Sequence, residues 1–260
     1  QELMDAEEVL KLKDVYAAQY ERLEPILKEM VSIPGFSADV LIALLQELPM
    51  GDARSTLQTV LLKSSVDMTS FYVQGLADDD ESVVLESIEA LGQLETVASL
   101  EALYSCLSHS LSSIRLASLQ AINGRYTKGQ AKQIGKILKD PEPENRLLAL
   151  QICQSIIDKE IGNIMLGVMR ETTFTKRPMD EQQQFYEGLY KYPFPTTFQF
   201  LSDILKDKNI VRNKGVTMKQ LWAVGVFAKI GTEDAKSILR GLKGNWFLAA
   251  EVKQKIKEVV

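Results

Sequence analysis

Hydrophobic positions along this chain recur on two scales. Within single helices they fall three and four residues apart, as in TVASLEALYSCL, where Val97, Leu100, Leu103 and Leu107 form one buried stripe. Over longer distances the whole pattern returns after 31 residues: LADDDESVVLESIEALGQL from Leu76 is matched by LSHSLSSIRLASLQAINGR from Leu107 and by LKDPEPENRLLALQICQSI from Leu138. Asp78, His109 and Asp140 correspond, as do Val84, Arg115 and Arg146, and Ser87, Ser118 and Ala149. Each unit reads as helix, short polar turn and second helix, with the small residues at 87, 118 and 149 placed for close helix approach. No stretch alternates with a period of two and β-branched enrichment, so the predicted fold class is all-α.

The pattern continues with insertions. Met169 starts a fourth unit whose second helix follows TTFTKRP, Leu205 a fifth whose second helix follows KNIVRNKG, and Leu242 a last one closed by AEVKQKIKEVV. Thr232 in GTEDAKS is a helix cap followed by first-turn acids. Residues 1–65 lack the repeat string. There Tyr16, Tyr20, Leu23, Leu27 and Met30 follow 4-3-4-3 spacing, either a coiled-coil seam or, the favoured reading over so short a stretch, a core-facing stripe. Pro25 either kinks this helix or opens a new one. SADVLIALLQELP and GDARSTLQTVLLKS predict a further helix pair, capped by Ser37 and Asp52. The expected organisation is a helical N-terminal region, 1–65, packed on a repeat domain, 66–260.

The string from Leu76 to Gly92, together with AKIGTEDAKSIL at 228–239, resembles HEAT repeats of the short bacterial type also found in phycobilin lyases. The resemblance covers roughly residues 68–260. It implies an α-α superhelix, a HEAT-like solenoid of about five to six helix pairs with a diverged N-terminal cap, whose second helices line a concave face. Val84 and Gln220 depart from it, since the family often has Arg there, as do the two insertions.

Composition narrows the chemistry. The formal charge is -5, but unevenly spread: residues 1–171 hold 15 Lys and Arg against 26 Asp and Glu, a net of -11, while 172–260 hold 15 against 9, a net of +6. This balance opposes a wholly nucleic-acid-binding surface and leaves the last third basic. His109 is the single histidine, which disfavours Ser-His-Asp, Cys-His and multi-histidine metal sites built from this chain alone. Asp78 and Asp80 recur as Asp140 and Glu142, so the acidic run reads as helix-start chemistry before it reads as a metal site. Cys106 and Cys153 fall at apolar-pattern positions and suggest no redox role. No apolar run approaches a membrane span and no signal segment precedes the first helix, so the default compartment is the cytoplasm; Gln1, not being an initiator, leaves room for a removed export signal.

The two insertions and the turn KGNWFLA occupy equivalent places in successive units, so stacking should gather them on one edge. Phe174, Lys176, Arg177, Ile210, Val211, Arg212, Lys214, Lys219, Trp246 and Phe247 are the candidate partner-binding residues: aromatics and aliphatics among cations, a composition suited to a protein interface. Trp246 and Phe247 have a competing reading, the favoured one, in which they fold inward and close the last repeat. The expected function is a non-enzymatic scaffold or adaptor that captures a partner protein with an acidic segment through the groove and this edge, with no catalytic residue, cofactor or metal. The alternatives are a phycobilin-lyase-like chromophore lyase or chaperone, which the resemblance implies, and a HEAT-like DNA-binding protein, which the net acidity opposes.

Overall fold

The computed structural model describes residues 6–34, 36–64, 66–125, 129–208 and 213–260, with side chains from residue 11 onward. Among these, every regular element is helical: fifteen α-helices and two 3-10 turns. Contacts divide the chain into two units, Gln1–Cys106 and Leu107–Val260. The division therefore falls at Cys106, well past residue 65, where the repeat string fades.

Unit 1 contains α1 (Ala6–Val31), α2 (Asp39–Glu47), α3 (Asp52–Leu62), α4 (Thr69–Gly75), α5 (Glu81–Gln93) and α6 (Val97–Cys106). Helix α1 packs along α3 and α2, and α4 packs on α5 and α6. Tyr16 and Leu27 are buried, and Tyr20, Leu23 and Met30 half-buried, so the 4-3-4-3 stripe faces the core. The helix breaks at Gln19 (φ -136°), while Pro25 stays inside it. Helix α6 corrects one expectation: Val97 is 76% exposed, and the buried stripe starts at Leu100. The inward place in its first turn belongs to Ser99, whose hydroxyl donates to the carbonyls of Leu94 (2.6 Å) and Thr96 (2.9 Å). Ser37 accepts weakly from the Asp39 amide at 3.4 Å, and Asp52 is a first-turn acid behind Gly51.

Unit 2 contains α7 (Ser112–Ile122), α8 (Ala131–Ile137), α9 (Pro143–Ser155), α10 (Lys159–Met169), α11 (Met179–Gly188), α12 (Pro195–Lys206), α13 (Lys214–Ile230), α14 (Glu233–Gly241) and α15 (Ala250–Val259), with 3-10 turns at Phe174–Lys176 and Leu189–Lys191. Helices α7, α9, α11, α13 and α15 pack on one another in that order, and α8, α10 and α12 do the same. Close approach follows from small side chains: Ser118 and Ala149 are fully buried between neighbours. Tyr192, also fully buried, donates its hydroxyl to the carbonyls of Cys153 and Ile156 at the end of α9.

Corresponding positions do the same physical work. The turn before each second helix is closed by a side chain accepting the amide two residues on: Asp78 from Asp80 (2.8 Å), His109 through Nδ1 from Leu111 (3.2 Å), and Asp140 from Glu142 (2.9 Å). Asp80 then caps α5 by accepting from Ser82 at 2.8 Å. The acidic run is helix-start chemistry, satisfying amides the helix itself leaves open.

The arginines aligned by the repeat carry a role that spacing alone did not assign. Arg115 donates to the carbonyls of His109 and Ser110 and, forked, to both oxygens of Asp140 at 2.6 and 2.9 Å. Arg146, 31 residues on, donates to the carbonyls of Asp140 and Pro141 and to both oxygens of Glu181 at 2.8 Å. In unit 1, Arg54 does likewise with the carbonyls of Leu45 and Leu48 and with Glu86. One guanidinium thus closes its own turn and ties it to a carboxylate further along.

Candidate functional site

The first inserted loop is held by its own side chains. Phe174 is buried and meets Phe185 edge-on, with ring centroids 5.2 Å apart. Arg177 donates to Glu181 at 3.0 Å and to the Leu138 carbonyl at 2.9 Å, and its guanidinium lies 5.4 Å from the ring centres of both Phe174 and Phe185. Burial pushes its pKa down, and the neighbouring charge of Arg146 pushes the same way against the pull of Glu181. Buried Gln182 completes the fixation by donating to the Arg177 carbonyl at 2.8 Å. Phe174 and Arg177, expected to meet a partner, instead anchor the loop inward, where the guanidinium offsets its lost hydration with a buried carboxylate, a carbonyl and two rings. Lys176, between them, is exposed.

The last loop does the reverse. Trp246 is 90% exposed and Phe247 41%, whereas Leu248 is 3% exposed and fills the inward position. The inward reading of the two aromatics is thereby corrected, because a single leucine closes this turn. Asn245 ties the loop to the last turn of α12 by donating to the Leu205 carbonyl at 3.5 Å, and Lys208 Nζ stands 5.5 Å from the centre of the Phe247 ring. Lys214 is exposed at the start of α13 and Lys219 is half-buried along it. Ile210, Val211 and Arg212 lie outside the described residues. Beyond Lys208 the surface continues as a shallow depression over Arg170, Phe200, Lys206 and Asp207, with the Arg170 guanidinium 5.5 Å from the Phe200 ring centre.

A second feature of unit 2 was not named as a site from the sequence. Helices α11, α13 and α15 frame a cleft of about 250 Å³, lined by Gln183 and Glu187, by Met218, Leu221, Trp222, Gly225, Val226 and Lys229, and by Lys255. Trp222 also packs on Tyr186, ring centroids 5.3 Å apart. Gln183 donates to Glu187 at 2.7 Å. Lys229 Nζ and Lys191 Nζ each stand 5.3 Å from the Tyr190 ring centre. The available signal was a helical stripe at 218, 221, 222, 225 and 229 with a glycine inside it.

Unit 1 holds a wider cleft of about 580 Å³ lined by Glu47, Arg54, Tyr72, Asp78 and Asp80 among others, but its arginine is committed to Glu86 and to two carbonyls. Among the described residues no three His, Cys, Asp or Glu side chains gather as metal ligands would. Among the same residues, no helix is long and apolar enough to cross a membrane.

No family model matches the chain, and no curated protein matches it. Among solved structures it is similar to the crystal structure of an engineered protein, at 12% sequence identity and a TM-score of 0.41, across 95% of this chain and 70% of that one.

Proposed function

We propose that this chain is a HEAT-like α-solenoid with a diverged helical N-terminal cap, and that it works without catalysis as a scaffold holding an acidic segment of a partner protein. The groove along its second helices and the edge carrying Lys208, Trp246 and Phe247 would share the contact. One observation carries the reading: Trp246 stands 90% exposed beside Phe247, over which Lys208 sits, while Leu248 already closes the repeat. A tryptophan left in water forgoes the burial that dominates its energetics, and an exposed aromatic pair with a lysine over one ring suits an interface anchor with an acidic counterpart. The equivalent roles of Arg115 and Arg146, 31 residues apart, support the repeat reading.

The test compares immobilised wild-type chain with the triple variant Trp246→Ala, Phe247→Ala, Lys208→Glu in extracts of the native host, bound proteins being quantified by mass spectrometry at low and raised salt. A partner retained by the wild type, released by salt and weakened roughly thirtyfold or more by the variant is expected. An identical set of bound proteins on both would overturn the assignment.

A further inference from the structure

We propose that the cleft between α11, α13 and α15 is a slot for one aromatic or branched aliphatic side chain presented by an acidic peptide segment. The inference rests on the protein-binding reading above and adds to it the chemistry the partner must carry.

Gly225 is the first reason. It lies in the interior of α13, where glycine is disfavoured against alanine by the freedom its backbone loses. Two other helical glycines have a packing cause, a Cβ at Gly135 falling 2.6 Å from Ile164 and one at Gly162 falling 3.1 Å from Tyr192, whereas Gly167 is exposed on α10 and, like Gly225, has no such neighbour. At Gly225 a Cβ would meet nothing within 4 Å. No neighbour demands the small residue, and what it leaves is open space in the cleft.

Volume and walls define the occupant. At about 250 Å³ the cleft falls below the range of roughly 300–1,000 Å³ typical of whole small-molecule ligands, yet exceeds the roughly 150 Å³ that admits a benzene ring. One side chain fits. Met218, Leu221, Trp222 and Val226 give it apolar, partly adaptable walls. Charge then sets what flanks it. Lys229 and Lys255 stand at the rim, Lys191 joins Lys229 over the same tyrosine ring, and the single carboxylate, Glu187, is bonded to Gln183. Aspartate or glutamate on either side of the anchor complements this rim; lysine or arginine there meets like charge.

The probe is a short peptide of Asp and Glu with one central Phe, compared with the same peptide carrying Ala at that place. Binding is followed by calorimetry on the full chain and by the emission of Trp222 in a Trp246→Phe background, where it is the remaining tryptophan. The Phe peptide should bind roughly tenfold to a hundredfold tighter than the Ala peptide and shift Trp222 emission to the blue. Gly225→Leu should erase that preference without lowering the melting temperature, and Lys255→Glu, at an exposed position, should weaken both peptides. A Phe preference that survives Gly225→Leu, or no preference in the wild type, overturns the slot. In either case host-partner capture that still depends on Trp246 leaves the scaffold reading standing, whereas capture indifferent to Trp246 removes that reading on separate grounds.

Discussion

Arg177→Glu decides whether the first inserted loop is a docking surface or an internal anchor. In the folded chain the Arg177 guanidinium serves Glu181, the Leu138 carbonyl and two phenylalanine rings at once, and Glu181, 3% exposed, is shared with Arg146. Reversing the charge strips the Leu138 carbonyl of this donor and sets a second carboxylate against Glu181 where water cannot screen it. Breaking a buried ion pair by removing one partner costs about 3–5 kcal/mol. For a unit of this size each kcal/mol lowers the melting midpoint by roughly 2–4 °C, so a drop of roughly 6–20 °C is expected.

Thermal melts followed by far-ultraviolet circular dichroism measure it, with two controls. Lys176→Glu changes an exposed neighbour and should move stability by no more than about 0.5 kcal/mol. Arg177→Met removes the charge but keeps an unbranched side chain among the rings, so its midpoint should fall between wild type and Arg177→Glu. An Arg177→Glu protein melting within about 2 °C of wild type, a shift worth less than about 1 kcal/mol, would refute the anchoring argument.

Other consequences can be checked in the same way. Burial alone would raise the Asp140 pKa, but bonds from Arg115, the Glu142 amide and Asn145 outweigh it and hold the carboxyl below its usual value. A folded-state pKa below the unfolded one stabilises at pH above the unfolded carboxyl range and loses that contribution as pH falls through the folded value. Asp140→Asn should therefore cost about 1–3 kcal/mol at neutral pH and flatten the acid limb of a denaturant-midpoint profile; an unchanged limb would count against it. Gly225→Ala and Gly162→Ala should have opposite signs. The first gains about 0.5–1 kcal/mol of helix propensity, while the second loses about 1–3 kcal/mol because its Cβ presses on Tyr192, which is pinned by its hydroxyl. Burial pushes the Cys153 thiol up to about 12, so it should stay unmodified by a thiol reagent in the native state and react only on unfolding.

The repeat made the turns legible, because a short acceptor before a helix acts within two residues of itself. That local logic placed Asp78, His109 and Asp140 in one role although one of them is a histidine. Direction was harder to read. Lys176 and Arg177 are adjacent cations, and which one turns inward depends on Glu181 and the two phenylalanines across the loop; the Arg177–Glu181 spacing of four hinted at it without revealing burial. Among Trp246, Phe247 and Leu248 the larger residues were favoured for the inner place, yet it goes to Leu248. Val97 errs in the same way, fitting the period but standing outside it in the first turn. The cleft depends on α11 and α15 flanking α13, and only the glycine within the α13 stripe signalled it along the chain.

Three arginines of unit 2 differ in their work from its exposed lysines. Arg115, Arg146 and Arg177 are each committed to at least one backbone carbonyl and a carboxylate, which a planar guanidinium with five donors in a fixed fork serves together with less loss of freedom than a three-donor ammonium on a flexible stem. Lys176, Lys208, Lys214, Lys229 and Lys255 are exposed. The positive balance of residues 172–260 comes from twelve lysines and three arginines, and one of those arginines, Arg177, is turned inward. The field that an approaching acidic segment meets is thus largely a lysine field, separate from the groups that hold the helices together. Such a division lets the surface charge be tuned, by salt or by substitution, without loosening the inward arginines, because the two populations share few partners.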